Sequence, residues 1–255
     1  MLFYYSATGI TKKLALTIAE RTNETAISIE DALKNEAFDY ELKDSERLGF
    51  LSPVYFGSIP DILKDFIKKL KIKTAENYYC FIALTFGNSP FNAANHLTTL
   101  LLRNGITTNA IFGAAGIDTF IPFFTIPAGE QRKMVEDRTN TQNALIAEQV
   151  ADRTQINDIK PGPFPRLTTA ISSPIYTWMR RTNNFVVSDA CNGCGLCAKN
   201  CPEQAITIDP DAKHPTWTKP KCLLCFRCLH HCPTTAIDYA NATKGKLRLK
   251  SYPLI

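Results

Sequence analysis

MLFYYSATGITKKLALTIAE, residues 1–20, sets a short apolar run directly against a hydroxyl-rich loop, and a helical pattern follows at once. Leu2, Phe3, Tyr4 and Tyr5 have the bulk and length of a buried strand, and Leu14, Ala15, Ile18 and Ala19 recur at helical spacing across 11–20. Between them Ser6, Ala7, Thr8, Gly9, Ile10 and Thr11 form a loop with no charge of its own. Backbone N–H groups at a helix start attract anions, and Ser6, Thr8 and Thr11 add hydroxyl donors, so a phosphate is a candidate occupant. The alternative is a helix start capped by its own side chains, with no ligand.

Outward from this unit the pattern repeats through 1–153. Strands are expected near 25–29, at RLGFLSPVY (47–55, ended by Pro53), at NYYCFIALTF (77–86) and at 107–114. Helices are expected at IPDILKDFIKKL (59–70, Pro60 near its start), at 91–103 and from Gly129 to about Ala151. Strands alternating with helices imply an α/β doubly wound, five-stranded parallel sheet with helices on both faces. Ligands in such folds bind outside the carboxyl ends of the strands. Cys80, between aromatic residues of the fourth strand, reads as a buried apolar residue.

Residues 154–187 change character. KPGPFPR (160–166) holds three prolines and reads as a linker, and SPIYTWMRRTNNF (173–185) as one short helix whose Tyr176 and Trp178 dock on a neighbouring domain. A cysteine-rich segment occupies 188–241, and 242–255 is a basic, weakly patterned tail.

Eight of the nine cysteines lie between positions 191 and 232. They form an internal repeat of 31 residues: Cys191, Cys194, Cys197 and Cys201-Pro202 recur as Cys222, Cys225, Cys228 and Cys232-Pro233, and the match runs on into Ala205-Ile206 and Ala236-Ile237. Clustered cysteines point to metal, and paired zinc sites are the bland alternative. The x2-x2-x3-Pro rhythm resembles that of bacterial ferredoxins, in which three cysteines of a run hold one [4Fe–4S] cluster and the fourth holds the other. The resemblance implies two [4Fe–4S] clusters, one on Cys191, Cys194, Cys197 and Cys232, the other on Cys222, Cys225, Cys228 and Cys201. Eight cysteines complete both sets, which leaves His214, His230 and His231 in outer or surface roles.

The opening loop resembles the phosphate loop of flavodoxins, with Leu2, Phe3, Tyr4, Ser6, Gly9, Thr11, Ala15 and Ile18 fitting that family's strand, loop and helix. Neither GxGxxG nor GxxxxGK[ST] is present. Ile10 departs from the pattern, since many flavodoxins carry Asn there. The resemblance implies FMN, its phosphate held by residues 6–11. Its ring would sit between Pro53, Val54, Tyr55, Phe56 and Gly57 after the third strand and Thr85, Phe86, Gly87 and Asn88 after the fourth. Tyr55 and Phe56 serve equally well as core residues. The apolar stretch FIPFF (120–124) either covers the flavin or buries against the second domain.

The whole chain therefore resembles ferredoxin–flavodoxin fusions, a small α+β ferredoxin domain following the flavodoxin-like one. Its formal charge of +5 reads as compensation for cofactors, since two clusters and a flavin phosphate together contribute about −6. Nucleic acid is not an expected partner. A hydrophobic content of 45% without a long apolar run argues against a membrane span, and no secretory segment is visible, so the expected location is the cytoplasm. Clusters pass single electrons and FMN accepts one or two. Three classes follow: a carrier serving a redox protein or small-molecule donor and acceptor, an FMN-dependent reductase, and a redox or oxygen sensor.

Overall fold

The computed structural model describes residues 1–74, 77–211 and 213–250. In chain order the elements are β1 (Leu2–Tyr4), α1 (Ile10–Thr22), β2 (Ala26–Ser28), α2 (Ile29–Lys34), β3 (Asp39–Glu41), β4 (Arg47–Pro53), α3 (Asp61–Lys69), β5 (Lys71–Lys73), β6 (Tyr79–Phe86), α4 (Ala93–Arg103), β7 (Ala110–Ala115) and α5 (Gly129–Ala151). They continue with α6 (Pro165–Met179), β8 (Phe185–Val187), α7 (Leu196–Lys199), β9 (Ile206–Ile208), β10 (Pro215–Trp217), α8 (Arg227–His230) and β11 (Ile237–Tyr239).

Five parallel strands stack in the order β2-β1-β4-β6-β7, which is the flavodoxin-like order. Both central strands, β4 and β6, are buried along nearly their whole length, as near-continuous apolar runs must be when helices cover both faces. One face packs Phe3, Phe50, Ile82 and Leu84 against Leu63, Phe66 and Leu97 of α3 and α4. The other packs Leu2, Leu51, Phe81 and Phe112 against Leu14 and Ile18 of α1 and Ile146 and Val150 of α5. The sheet's β7 edge is partly closed, since Ile111 exchanges backbone hydrogen bonds with Ile156 and Asp158. Sequence periodicity missed α2 and the small β3–β5 pair, each too short to show a period.

The second unit wraps two cysteine loops with two short antiparallel ribbons, β9–β10 and β8–β11. Strand β8 lies within the stretch read as linker. Helix α6 starts on the last of the three prolines in KPGPFPR, Pro165, and runs 15 residues, longer than the short helix expected. Its Tyr176 docks as expected, the hydroxyl donating to the Leu223 carbonyl at 2.7 Å. Trp178 does not: two positions on, about 200° round the helix, it is 60% exposed. The tail is better ordered than its pattern suggested, at least to residue 250. Arg248 is buried against Asp238 at 2.6 Å, and Leu249 is fully buried; the remaining residues lie outside the described ones.

The two units share a third core. Ile117, Ile121 and Ile126 from the segment after β7 pack with Met179, Leu224, Phe226, Leu229, Ile237 and Leu249. Of the two roles read for FIPFF, burial against the second domain is the one seen here: Ile121 enters this shared core, while Phe123 and Phe124 stay exposed.

Gly49, in the middle of β4, tests how tightly the sheet is covered. A Cβ there would lie 2.5 Å from Phe81 Cζ and 2.8 Å from Leu2 Cδ2, both wholly buried. Gly49→Ala is expected to lower stability by about 1–3 kcal/mol in chemical denaturation, as overpacking does.

Candidate functional site

At the carboxyl end of the sheet lies a cavity of about 370 Å3, within the ordinary range for small-molecule sites. Its walls include Ala7, Thr8, Ile10 and Thr11 from the opening loop, Pro53, Val54, Tyr55, Phe56 and Gly57 after β4, and Thr85, Phe86, Gly87 and Asn88 after β6. Ser6 and Gly9 do not line it. The Ser6 hydroxyl instead accepts from Gly9 N at 3.2 Å and closes the loop on itself, with Gly9 at φ 93° where a side chain would be strained. Thr11 Oγ1 and Thr85 Oγ1 are 2.7 Å apart and tie the loop to the end of β6.

The capped-helix alternative fails here. No side chain caps α1 and no acid stands in its first turn, so its positive end faces the cavity's loop uncompensated by protein charge. The cavity walls offer what a phosphorylated aromatic ring needs: hydroxyls at one end, and the rings of Tyr55, Phe56, Phe86 and Phe120 elsewhere.

Three parts of this wall were not legible in the sequence: Gly116, Ile117, Asp118 and Thr119 after β7; Thr168, Ser172 and Ile175 of α6; and Leu224, Cys225 and Phe226 from the cysteine-rich unit. Helix α6 is fixed by its polar face. Thr169 Oγ1 donates to the Gly57 carbonyl at 3.1 Å and Ser172 Oγ to the Phe56 carbonyl at 2.8 Å. Phe56 is held at φ 50°, stacked on Tyr176 at 4.9 Å. Asp118 is the one carboxyl among the described lining residues; burial raises its pKa, against a hydrogen bond from Phe120 N at 2.9 Å.

Two smaller cavities of equal size lie in the cysteine-rich unit. Cys191, Cys194, Cys197 and Cys232 line the first, and Cys201, Cys222, Cys225 and Cys228 the second, so the structure gathers the cysteines in the two sets that the resemblance implied. The repeat is conformational as well as sequential. Ala205 N donates to Cys201 Sγ, and 31 positions later Ala236 N donates to Cys232 Sγ, both at 3.3 Å. Burial pushes the Cys222 thiol up to about 12 and Cys197 up to about 11, and also raises Cys225 and Cys228. At Cys232 burial acts the same way, but hydrogen bonds from Thr234 and nearby amides outweigh it and lower the pKa. Thiolates in such an interior require a cationic core beside them. The hydroxyls of Tyr5 and Tyr55 are buried with no well-placed hydrogen-bond partner, and Cys225 is among the groups that raise the pKa of both. Sulfur acceptors in the second cavity suit those donors.

The loops differ in what they carry at left-handed positions. Gly193 and Gly195 occupy them in the first loop, and Leu224 and Phe226 in the second, both at φ 54°. A left-handed non-glycine residue costs on the order of 1–2 kcal/mol. The side chains so placed are almost fully buried and form part of the large cavity's wall.

Arg227 links all of this. Its Nε donates to the Ala7 carbonyl at 2.8 Å and its Nη2 to the Ser6 carbonyl at 2.6 Å, while the guanidinium pairs with Glu30 and Nη1 also reaches the Asn200 carbonyl at 2.9 Å. His230, also fully buried, donates from Nε2 to the Thr119 carbonyl at 2.8 Å and accepts from Leu249 N at Nδ1. Burial pushes its pKa down to about 4 and keeps it neutral, so that it ties the segment after β7 and the tail to α8.

A flavodoxin domain family matches residues 1–106, and a 4Fe-4S dicluster domain family matches residues 190–245. One part of the chain thus matches a flavodoxin domain and another a 4Fe-4S dicluster domain, consistent with a flavodoxin–ferredoxin fusion. Iron–sulfur chemistry therefore replaces the zinc alternative for the cysteine loops. No curated protein matches the chain. Among solved structures it is similar to the rubredoxin:oxygen oxidoreductase of Desulfovibrio gigas, at 15% identity and TM-score 0.35, covering 59% of this chain and 36% of that one. It is also similar to the Trp repressor binding protein of Bacillus subtilis, at 12% identity and TM-score 0.35, covering 57% and 96%. A flavone reductase aligns over 92% of this chain and 85% of its own, at 12% identity and TM-score 0.34. The fusion thus spans about a third of the length of the first of these. Both the segment after β7 and α6, which complete the large cavity, lie between the two matched domains.

Thr8 and Thr11 give the direct test of the loop. Thr8→Ala with Thr11→Ala is expected to lower FMN retention several-fold on gel filtration while leaving iron content unchanged; full flavin retention would remove the loop from the phosphate site.

Proposed function

We propose that this fusion passes electrons between two [4Fe–4S] clusters and FMN, coupling one-electron to two-electron chemistry, with a redox protein or small molecule at each end. The observation that carries the reading is the shared wall: Cys225 and Phe226 line both the second cysteine cavity and the large cavity. FMN held there would take electrons singly or in pairs, while the clusters pass them singly.

What the chain's own residues do follows from their places. Ala7, Thr8, Ile10, Thr11 and Thr85 would hold the phosphate end, and Tyr55, Phe56 and Phe120 would enclose the ring. The first cysteine loop lies at the surface, with Cys194 exposed, whereas the second is buried between the first loop and the large cavity. That order gives a line from solvent through the first site, then the second, to the flavin. Leu224, Phe226 and Phe120 exclude water along its inner half.

Anaerobic purification with iron, sulfide and flavin analysis tests the assignment. About eight irons and one FMN per chain are expected. Four irons would reduce the line to one cluster, and the absence of flavin would overturn it.

Asp118 supports a second reading, reduction of a small acceptor at the cavity mouth. Its carboxyl is buried, faces the cavity and keeps its proton to higher pH than an exposed aspartate. As a proton donor it would make Asp118→Asn slow turnover of a two-electron acceptor by about 10²-fold or more while leaving stopped-flow flavin reduction by the clusters unchanged. Equal turnover by the variant would leave the carrier reading alone.

A further inference from the structure

Helix α6 is amphipathic in the wrong sense for a helix packed on a protein. Its polar side chains Thr169, Ser172 and Tyr176 face inward and bond to Gly57, Phe56 and Leu223. Phe164 just before it, then Leu167, Ile171, Ile175 and Trp178, face outward, exposed by between 44% and 77%. Their spacing of three and four residues makes one stripe along a helix of about 22 Å. Surface helices normally bury such a stripe, and an apolar patch of this size marks a binding surface.

The charge around the stripe narrows what covers it. From 159 to 188 the chain holds Lys160, Arg166, Arg180 and Arg181 and not one acidic residue. Arg180 is paired with Asp61, but Lys160, Arg166 and Arg181 are exposed at the two ends of the helix. Apolar residues with a tryptophan along one face, cationic ends and no acids are what a helix lying in a bilayer interface carries. A second copy of the chain fits poorly, because a two-fold contact would bring the exposed Lys160, Arg166 and Arg181 of both copies together. Among the described residues no helix is long and apolar enough to cross a membrane, so the helix would lie along the surface rather than enter it.

We propose that the outer face of α6 docks this protein on an anionic lipid surface. The stripe is continuous with the large cavity: Ile175 lines it, as do Phe123 and Phe124, which are themselves 63% and 41% exposed. Docking would therefore turn the mouth of that cavity toward the lipid. The inference stands on the helix face and its charges and does not depend on which cofactors are bound.

Flotation of the full chain with vesicles is the test, using phosphatidylcholine alone and phosphatidylcholine mixed with phosphatidylglycerol. Binding to the mixed vesicles, weakened by high salt and accompanied by a blue shift of tryptophan emission, is expected. Leu167→Gln with Ile171→Gln, both at exposed positions, should reduce binding at least about tenfold while circular dichroism stays unchanged. Arg166→Gln with Arg181→Gln should remove the preference for the anionic vesicles. Failure to float with either vesicle, or binding that survives the Leu167 and Ile171 changes, overturns the proposal. So does a dimer in light scattering that those same changes convert to monomer, since the face would then be an interface between copies.

Discussion

One buried guanidinium holds the two halves of this protein in register. Arg227 stands between Cys225 and Cys228 and reaches out of the dicluster domain to the carbonyls of Ser6 and Ala7. A trans peptide sets its N–H opposite its C=O, so pulling these two carbonyls toward Arg227 turns the amides of Ala7 and Thr8 the other way. The same residue thereby shapes the opening loop and ties the second cysteine loop to the end of the first through the carbonyl of Asn200, next to Cys201. Its ion pair with Glu30 is largely removed from water, where losing one partner costs about 3–5 kcal/mol because the other is left uncompensated. Arginine's planar fork suits this use, since it satisfies two carbonyls and a carboxylate at once.

Arg180 repeats the device on the other side. It pairs with Asp61 at the start of α3, donates to the Cys222 carbonyl and lies over the Tyr176 ring. Between the two arginines the second cysteine loop is fixed against the flavodoxin domain by charge at its rims and by the shared apolar core at its centre. Domains joined by a proline-containing segment are expected to move relative to one another unless the interface is large and apolar. Here that segment is itself built into the interface through α6, and the cavity exists only because both domains and the segment between them contribute walls.

Much of this was legible in the sequence, for identifiable reasons. Long apolar strands such as NYYCFIALTF and the 31-residue cysteine repeat are local patterns, and local patterns survive in one dimension. The opening loop was legible because strand, hydroxyls and helix adjoin in the chain. Asp118, Leu224 and Phe226 were not, since they reach the cavity from elements far apart in sequence, and nothing in their neighbourhoods marks them. Tyr176 and Trp178 were read together as docking residues because the periodicity of α6 shows two faces without saying which is inward. Its inward face is polar because it meets backbone carbonyls at Phe56 and Gly57 that need donors. The tail was misjudged for a similar reason: Arg248 looks like surface charge until Asp238 and the carbonyls of Ile237 and Thr243 are seen around it.

The left-handed positions of the two cysteine loops bear on more than packing. Glycine at 193 and 195 leaves the first loop thin, with backbone close to solvent; leucine and phenylalanine at 224 and 226 surround the second with hydrocarbon. Identical ligand sets in unequal dielectric surroundings do not hold an added electron equally well, because the charged state is better solvated at the wet site. Clusters held by these two copies of one motif would therefore be unlike redox sites without a change in any ligand. The difference resides in four side-chain positions, and it gives the chain an internal polarity that a symmetric pair of loops would lack.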